Sequence, residues 1–292
     1  MTRGTQVSSY RPLPWITGPV ERVIARPAAN FLATLGQVAL FVGTTIWLLP
    51  STVRWYPKQT IKVLNNLAWG RGALIVDGGV VSTMLLVGFG IGAMVSIEAF
   101  AAMDMIGFGA LTGVVGGMAN VREMAPIAAG IAFAAQAGCR MTAEVGAMRV
   151  SEEIDAIEAL GIRSIPFVVG TRLLGGVLSV APAYLATLLL SFVVSRTFVT
   201  VVHSQSEGTY QHYFEQFVDP VGLVCSLVKA VAFCAAVTLI HCYYGFFTTG
   251  GPAGVGVASG RAIRASLVMI IVLDLVLSVI MWGLLPQYVF RG

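Results

Sequence analysis

Long apolar segments recur along the whole chain, and they constrain the fold more than any other feature. The chain has 292 residues, of which 57% are hydrophobic and only 11% are charged. A bilayer core needs roughly 20 apolar residues in helical form, so most of these segments can span a membrane. The sequence therefore predicts an all-α integral membrane protein with no separate soluble domain. The candidate segments are 31–49, 79–97, 125–138, 167–194, 221–244 and 263–285.

Basic residues on both flanks set the first apolar segment apart from the others. Loops rich in Lys and Arg lie on the cytoplasmic side of a membrane, and such residues stand both before and after segment 31–49. We therefore predict that this segment is re-entrant or lies in the interface, and that the other five cross. Segment 125–138 is short, so it must borrow neighbouring residues to span. This arrangement leaves the N-terminus in the cytoplasm, with an N-terminal segment over 1–72 and a membrane domain over 73–292.

A dense group of charges interrupts the apolar pattern in the stretch EVGAMRVSEEIDAIEALGIRSIP, residues 144–166. Ser151 is a good helix N-cap because its side-chain oxygen can accept hydrogen bonds from free backbone N–H groups. Glu152 and Glu153 would face the positive end of the helix dipole, and Gly161 marks a stop. These signals predict a helix of about ten residues, which is too short to cross a membrane.

The predicted short helix is amphipathic. Its apolar positions are spaced three or four residues apart and form one stripe, while its carboxylates turn mostly away from that stripe. Anionic lipid headgroups repel an acidic face, which favours a docking site for another protein over a solvated connecting helix. The stripe consists of Val150, Ile154, Ile157 and Gly161, and the acidic face consists of Glu152, Asp155 and Glu158.

Enzymatic, nucleotide-binding and metal-binding patterns are not apparent in the sequence. No nucleophile or metal-ligand set accompanies the acidic stretch, and no lysine stands in a phosphate-binding loop of the G-x-x-x-x-G-K-[ST] type. We predict no catalytic residue, no metal site and no nucleic-acid partner. The His and Glu residues of the later polar loop match no tight ligand motif; they are His203, Glu207, His212 and Glu215.

Three separated motifs resemble one protein family. They are FAAQAGCRMTAEVGAMRVSEEIDAIEALGI over 133–162, REMAPIAAG from Arg122, and GPAGVGVASGRAIRASLVMIIVLDLVLS over 251–278. In this order they are similar to the MlaE/YrbE permeases of Mce-type lipid ABC transporters. The form EEIDAIEALGI is similar to the actinobacterial YrbE branch in particular, whereas Gln136 stands where the family has an arginine.

The resemblance implies a permease domain over 73–292, with a coupling helix within 144–162 that docks into a separate cytoplasmic ABC ATPase. It implies that ATP and Mg²⁺ are bound by that partner and that this chain carries no cofactor. It further implies a second MlaE/YrbE-type permease, expected to be a different paralogue, external Mce-domain proteins, a lipid substrate and a location in the plasma membrane. The candidate coupling residues are Glu144, Arg149, Glu152, Glu153, Asp155 and Glu158.

Charged residues within or beside the spans are candidates for a substrate pathway, because a charge in lipid is costly and usually faces a cavity or a partner. Arg122 and Glu123 match the R-E of the family motif. We expect Arg122 to meet an anionic headgroup, with Glu123 as its partner or gate; a structural ion pair is the alternative. Glu98 is a further pathway candidate. Lys229 and Asp274 are both placed to be buried, and their pairing is an open question at this point.

The leading hypothesis is a permease subunit of an ATP-driven transporter that imports fatty-acid-like or sterol-like lipids across the plasma membrane. An ion-gradient-driven secondary transporter is one alternative; it would need ionisable residues in broken, repeated helices, and no convincing internal repeat is present. A non-transporting membrane scaffold is another alternative, and it would explain the acidic helix but not the charges within the spans.

Overall fold

The computed structural model describes residues 26–70 and 78–283, and these ranges are helical without a β-strand. This confirms the predicted all-α fold. The helices are α1 (Arg26–Trp55), α2 (Pro57–Trp69), α3 (Val80–Asp104), α4 (Thr112–Ala119), α5 (Ala125–Phe133), α6 (Cys139–Val150), α7 (Glu153–Ala159), α8 (Thr171–Thr197), α9 (Glu207–Phe217), α10 (Pro220–Phe246) and α11 (Gly251–Trp282). The π-helical segments are Asn120–Met124, Ala134–Gly138, Ile165–Gly170 and Phe198–Val202, and a 3₁₀ turn covers Gly109–Leu111.

Two of the helical runs consist of several elements. Helices α4, α5 and α6 follow one another through π-helical segments, so residues 112–150 form one continuous run. Residues 165–202 form a second run in the same way, with α8 at its centre. At 1.5 Å per residue the first run is about 60 Å long, which exceeds a bilayer core of about 30 Å.

The chain divides into two compact units, Met1–Ile46 and Trp47–Gly292. Of the first unit, the structure describes only the part of α1 that precedes Trp47. The predicted boundary between residues 72 and 73 lies outside the described residues, and it stays a prediction.

The second unit contains five helical passes between two ends. We call the end that holds α7 the acidic-helix end and the end that holds α9 the far end. Helix α3 runs towards the far end, where the ring of Phe100 stacks on His203 with 4.0 Å between centroids. The run 112–150 returns: Gly113 approaches α9 so closely that a Cβ there would lie 2.5 Å from the carbonyl oxygen of Tyr210, whereas Gly146 lies against Val255 near the start of α11.

The three remaining passes alternate in the same way. The run 165–202 starts beside α6, where Arg172 pairs with Glu144 at 3.4 Å. Helix α10 starts at the far end, and Gly245 in its last turn packs against Val145 of α6. Helix α11 then leads away, and its Ser278 contacts Glu123 at 2.8 Å. Five passes through one bundle agree with the five crossings predicted from the sequence.

Helices α3 and α8 approach each other closely at two glycines of α3. A Cβ at Gly88 would lie 2.7 Å from the carbonyl oxygen of Thr187, and one at Gly92 would lie 2.4 Å from that of Ser191. Backbone oxygens cannot move aside as a flexible side chain can, so any larger residue would separate the helices. Small residues at such contacts are typical of helix pairs in lipid.

Among the described residues, five helices are long and apolar enough to cross a membrane. This set differs from the predicted five spans in two places: it includes the first apolar segment, and it omits the segment at 125–138. The run 112–150 is long enough to cross, but charged residues such as Arg122, Glu123 and Arg140 lower its apolar character. The re-entrant or interfacial placement of the first segment stays a prediction. The five are Leu32–Trp55, Val80–Asp104, Ile165–Val202, Pro220–Phe246 and Gly251–Trp282.

The polar stretch before α10 forms a helix at the far end. Tyr210 of α9 is 2% exposed, and its hydroxyl lies 3.2 Å from Ser195 Oγ, to which it donates a hydrogen bond. Burial raises the pKa of Tyr210, so this phenol stays protonated as a donor. The stretch described above as a polar loop therefore contains a helix, Glu207–Phe217.

Candidate functional site

Helix α7 follows α6 after a sharp change of direction at Ser151 and Glu152. Ser151 does not cap α7, because its hydroxyl donates a hydrogen bond to the carbonyl of Ala147 at 3.0 Å and so completes the last turn of α6. Glu152 has a φ of 59°, in the left-handed region that residues other than glycine seldom adopt. Helix α7 therefore begins at Glu153 and has seven residues. The prediction of a longer helix capped by Ser151 is wrong.

Helix α7 is anchored to the bundle through Ile154, whose exposed fraction is 1%. Ile157 is half-buried, whereas Val150 and Gly161 are exposed, so only the middle of the predicted apolar stripe is buried. The stripe assumed one continuous helix, and the break at Glu152 changes the direction of α7 relative to α6. Gly161 ends α7 as predicted, with a φ of 77° that glycine adopts without strain.

The acidic face of α7 is exposed, as the sequence predicts. Two of its carboxylates are nevertheless engaged within the chain. Asp155 pairs with Arg149 of α6 at 2.7 Å, and Glu158 accepts a hydrogen bond from Ser164 Oγ. These contacts fix α7 against its neighbours on both sides. The exposed carboxylates without a hydrogen bond or ion pair among the described residues are Glu152 and Glu153.

Glu144 lies between two arginines next to α7. One carboxylate oxygen is 2.9 Å from Nε of Arg140, and the other is 3.4 Å from an Nη atom of Arg172. Because Arg172 belongs to α8, the carboxylate joins two passes of the bundle. The structure thus gives Glu144 a bracing contact close to α7, and its part in coupling to an ATPase stays a prediction.

Lys229 is the centre of a charged cluster inside the bundle. Its side chain is fully buried on α10, about two and a half turns from the start of that helix. Its Nζ lies 2.6 Å from Asp274 Oδ1 and 3.2 Å from Glu123 Oε2. Ser278 Oγ accepts a hydrogen bond from Nζ at 2.9 Å and donates one to Glu123 at 2.8 Å. Lys229 and Asp274 therefore do pair, and the cluster joins α10, α11 and the run 112–150.

Pro126 removes one main-chain hydrogen bond from the helix beside this cluster. A proline has no N–H to donate to the carbonyl four residues earlier, so the carbonyl of Arg122 receives no hydrogen bond from position 126. Lys229 Nζ donates to this carbonyl at 2.6 Å. In the same π-helical turn, Ser226 Oγ donates to the carbonyl of Val121 at 2.5 Å. Side chains of α10 thus replace main-chain hydrogen bonds at a widened turn, a feature frequent at functional sites.

Arg122 and Glu123 take different positions around the cluster. Glu123 pairs with Lys229, and its side chain is 40% exposed. The guanidinium carbon of Arg122 lies 5.6 Å from the centroid of the Trp282 ring, and Lys229 Nζ lies 5.3 Å from the same centroid. Two cations therefore lie near one aromatic ring. Glu98 is exposed on α3 and is not among the contacts of Lys229, so its place in a substrate pathway stays a prediction.

The sequence interpretation missed two contributors to the buried polar contacts. Ser278 stands four residues after Asp274, so both lie on one face of α11, and this spacing was the available signal. His241 is fully buried, and its ring nitrogens lie 2.7 Å from Thr142 Oγ1 and 3.3 Å from Ser266 Oγ. The sequence around a single histidine in an apolar helix does not indicate which hydroxyl groups will be its hydrogen-bond partners.

Comparison with known proteins decides the family. The model of the family described as Permease MlaE matches residues 71–280, which is more than half of the chain. The chain belongs to the MlaE permease family. The predicted MlaE/YrbE resemblance is thereby confirmed, and the actinobacterial branch stays a prediction. As a member of this family, the chain is a permease of the class found in ABC transporters.

Relatives of this MlaE-family permease cover most of its length. The permease protein MlaE of the intermembrane phospholipid transport system of Haemophilus influenzae is 24% identical over 263 residues, which cover 89% of this chain and 96% of that protein. A probable ABC transporter permease of Rickettsia conorii is 22% identical over 262 residues, 87% of this chain and 94% of its own length. The chloroplastic protein TRIGALACTOSYLDIACYLGLYCEROL 1 of Arabidopsis thaliana is 28% identical over 188 residues, 64% of this chain and 54% of that protein.

Proposed function

We propose that this MlaE-family permease is the membrane subunit of an ATP-driven lipid transporter, with a separate ATPase docked on α7. The family match and the names of its relatives support the transporter class, and the phospholipid transport system of the Haemophilus influenzae relative supports a lipid substrate. ATP and Mg²⁺ would be bound by the partner ATPase.

The observation that carries this proposal is the construction of α7. It is a short surface helix between two passes, with exposed Glu152 and Glu153 on one side and the buried Ile154 on the other. The ion pair of Asp155 with Arg149 fixes it to α6. A partner that moves α7 would therefore move the two passes that flank it, which is what coupling to ATP hydrolysis requires.

The charge distribution supports a cytoplasmic acidic-helix end. Besides Arg54 in the last turn of α1, six arginines lie at or near this end of the bundle, whereas Arg122 and Arg196 lie towards the far end. Basic residues concentrate on the cytoplasmic side of a membrane, and a cytoplasmic ATPase would then meet α7 directly. We place the permease in the plasma membrane with its N-terminus in the cytoplasm. The six arginines are Arg140, Arg149, Arg163, Arg172, Arg261 and Arg264.

The finer assignment concerns partners, substrate and direction. We propose that the permease works with a second MlaE/YrbE-type permease, a different paralogue, and with external Mce-domain proteins, and that it imports fatty-acid-like or sterol-like lipids. The cluster around Lys229 would lie beside the lipid path, where Arg122 attracts an anionic headgroup and the exposed part of Glu123 faces the path. Glu98 would lie further along the same path.

Reversing the charges of Glu152, which directly precedes α7, and of Glu153, the first residue of α7, is expected to release the ATPase. In the combined variant Glu152→Lys and Glu153→Lys, like charges would face the basic partner groove, and such juxtaposition costs several kcal/mol. We expect at least a tenfold loss of ATPase that copurifies with the permease. The permease itself should insert and fold, because substitutions at exposed positions usually change stability by no more than about 0.5 kcal/mol.

Glu215→Lys is the matched control for this experiment. Glu215 is an exposed glutamate on α9 at the far end, where it accepts a hydrogen bond from Gln211 at 2.5 Å. The same reversal of charge there should leave the ATPase bound. Equal copurification of the ATPase with the α7 variant, with the control and with the wild type would show that α7 is not the docking helix.

A further inference from the structure

Two adjoining clefts lie at the acidic-helix end, between the last turns of α1 and the segment that follows α7. Their volumes are about 380 and 310 Å³, and their linings share Gly161, Arg163 and Pro166. The larger cleft also contains the carboxylate residue Glu158, which would repel an anion. In the smaller cleft, Arg163 is the only charged residue among the described residues of the lining.

The smaller cleft lies at the ends of two apolar stretches that are long enough to cross a membrane. Trp55 ends the apolar stretch Leu32–Trp55, and Ile165 begins the stretch Ile165–Val202. Trp and Tyr are enriched at the level of lipid headgroups, and this cleft is lined by Trp55 and Tyr56. The exposed fraction of Trp55 is 71%, which suits a ring in a lipid interface better than one in water.

The two walls of the cleft are fixed to each other. Thr52 Oγ1 donates a hydrogen bond to the carbonyl of Pro166 at 3.3 Å, and the ring of Tyr56 packs edge-on against Phe167 with 5.3 Å between centroids. Contacts within the chain therefore hold the two walls of the cleft together, so that binding would require little rearrangement.

The charges around the smaller cleft favour an anionic ligand. Arg163 is exposed and has no hydrogen bond or ion pair with another described residue. A guanidinium presents a planar fork of N–H donors that matches the oxygens of a phosphate group. Arg54 lies over the Trp55 ring at 6.0 Å, and Lys58 is exposed at the start of α2. Both add positive charge beside the cleft.

We propose that the smaller cleft binds the phosphate of an anionic phospholipid from the surrounding leaflet. Arg163 holds the phosphate, and the rings of Trp55 and Tyr56 flank the glycerol region. This lipid is a resident of the permease surface next to α7, distinct from the lipid that is transported. The proposal depends on the position of the cleft and on its charge, and it does not depend on the identity of the transported substrate.

Native mass spectrometry of the full chain in detergent, titrated with defined lipids, tests this site. We expect phosphatidylglycerol to bind more tightly than phosphatidylcholine. The variant Arg163→Gln should weaken phosphatidylglycerol binding about fivefold, the effect of removing one basic residue near an anionic lipid. The control Arg261→Gln removes an exposed arginine from the same end of the bundle, and it should leave the affinity unchanged.

Three results would overturn the proposal. The first is equal phosphatidylglycerol affinity in the wild type and in Arg163→Gln. The second is displacement of the bound lipid by millimolar inorganic phosphate, since this would identify a site for the free anion. The third is crosslinking of a photoreactive residue at position 163 to the partner ATPase and not to lipid in the assembled transporter, which would assign the cleft to the protein interface.

Discussion

Replacing Lys229 by Met is expected to destabilise the permease by about 3–5 kcal/mol, the cost of leaving a buried carboxylate without its cation. Lys229 is fully buried, and Asp274, its partner at 2.6 Å, is 12% exposed. Methionine fills similar space but cannot neutralise Asp274 or donate to Ser278 and to the carbonyl of Arg122. The measurement is the free energy of unfolding of the purified permease in detergent.

The double variant Lys229→Met and Asp274→Leu distinguishes pairing from simple packing. Removing both charges eliminates the buried carboxylate of Asp274, whereas Glu123, which also pairs with Lys229, is 40% exposed and can be hydrated. Apolar replacements of a buried ion pair are often neutral or stabilising. We therefore expect the double variant to unfold closer to the wild type than Lys229→Met does. A double variant less stable than the single one would contradict the inference that the two charges compensate each other.

Replacing Ile154 by Ala is expected to detach α7 from the bundle. Truncation of a buried isoleucine costs about 2–5 kcal/mol, and a helix of seven residues is not stable by itself in water. Hydrogen exchange over residues 150–162 should accelerate by at least tenfold, because every 1.4 kcal/mol corresponds to about a factor of ten. Lipid transport should fall by a similar factor, since a loose α7 transmits little motion to the flanking passes.

The conservative variant Ile154→Val provides the control for this prediction. It keeps most of the buried surface and should cost only about 0.5–1.5 kcal/mol, so that exchange and transport remain near the wild-type values. Unchanged hydrogen exchange over residues 150–162 in Ile154→Ala would mean that Ile154 is not the anchor of α7.

The bundle could be predicted from the sequence because lipid imposes simple rules on it. A span must be long, apolar and helical, and these requirements are visible in single residues and their order. The passes that contain α3, α8, α10 and α11 meet these requirements in their sequence, since each is long and apolar. The run 112–150 is harder to recognise as a span, because Arg122, Glu123 and Arg140 interrupt its apolar sequence. Its full length is visible only in the structure, where it is one continuous helical run.

The local form of α7 could not be predicted because two residues depart from their common roles. Ser151 has a hydroxyl that can serve a following helix or a preceding one, and the order of residues does not decide between them. Glu152 adopts a left-handed backbone conformation that usually signals glycine or asparagine. Neither feature can be read from the order of residues.

The charged members of the cluster around Lys229 were predictable from the sequence, whereas Ser278 and the arrangement of the cluster were not. A lysine and an aspartate in apolar helices need partners, so Lys229 and Asp274 stood out at once. Their meeting with Glu123 depends on the approach of three passes. Pro126 cannot donate a hydrogen bond to the carbonyl of Arg122, and Lys229 donates one instead. The sequence alone does not show which side chain will donate to this carbonyl.

ATP-dependent movement of lipid by the reconstituted transporter tests the central claim most directly. The permease, its partner ATPase and any copurifying subunits would be placed in proteoliposomes with fluorescent lipids. We predict lipid movement that needs ATP hydrolysis, stops in Glu152→Lys with Glu153→Lys, and continues when ion gradients are dissipated. Lipid movement without ATP that collapses with the proton gradient would indicate a secondary transporter, and assembly without any lipid movement would indicate a scaffold; either result would contradict the proposed function.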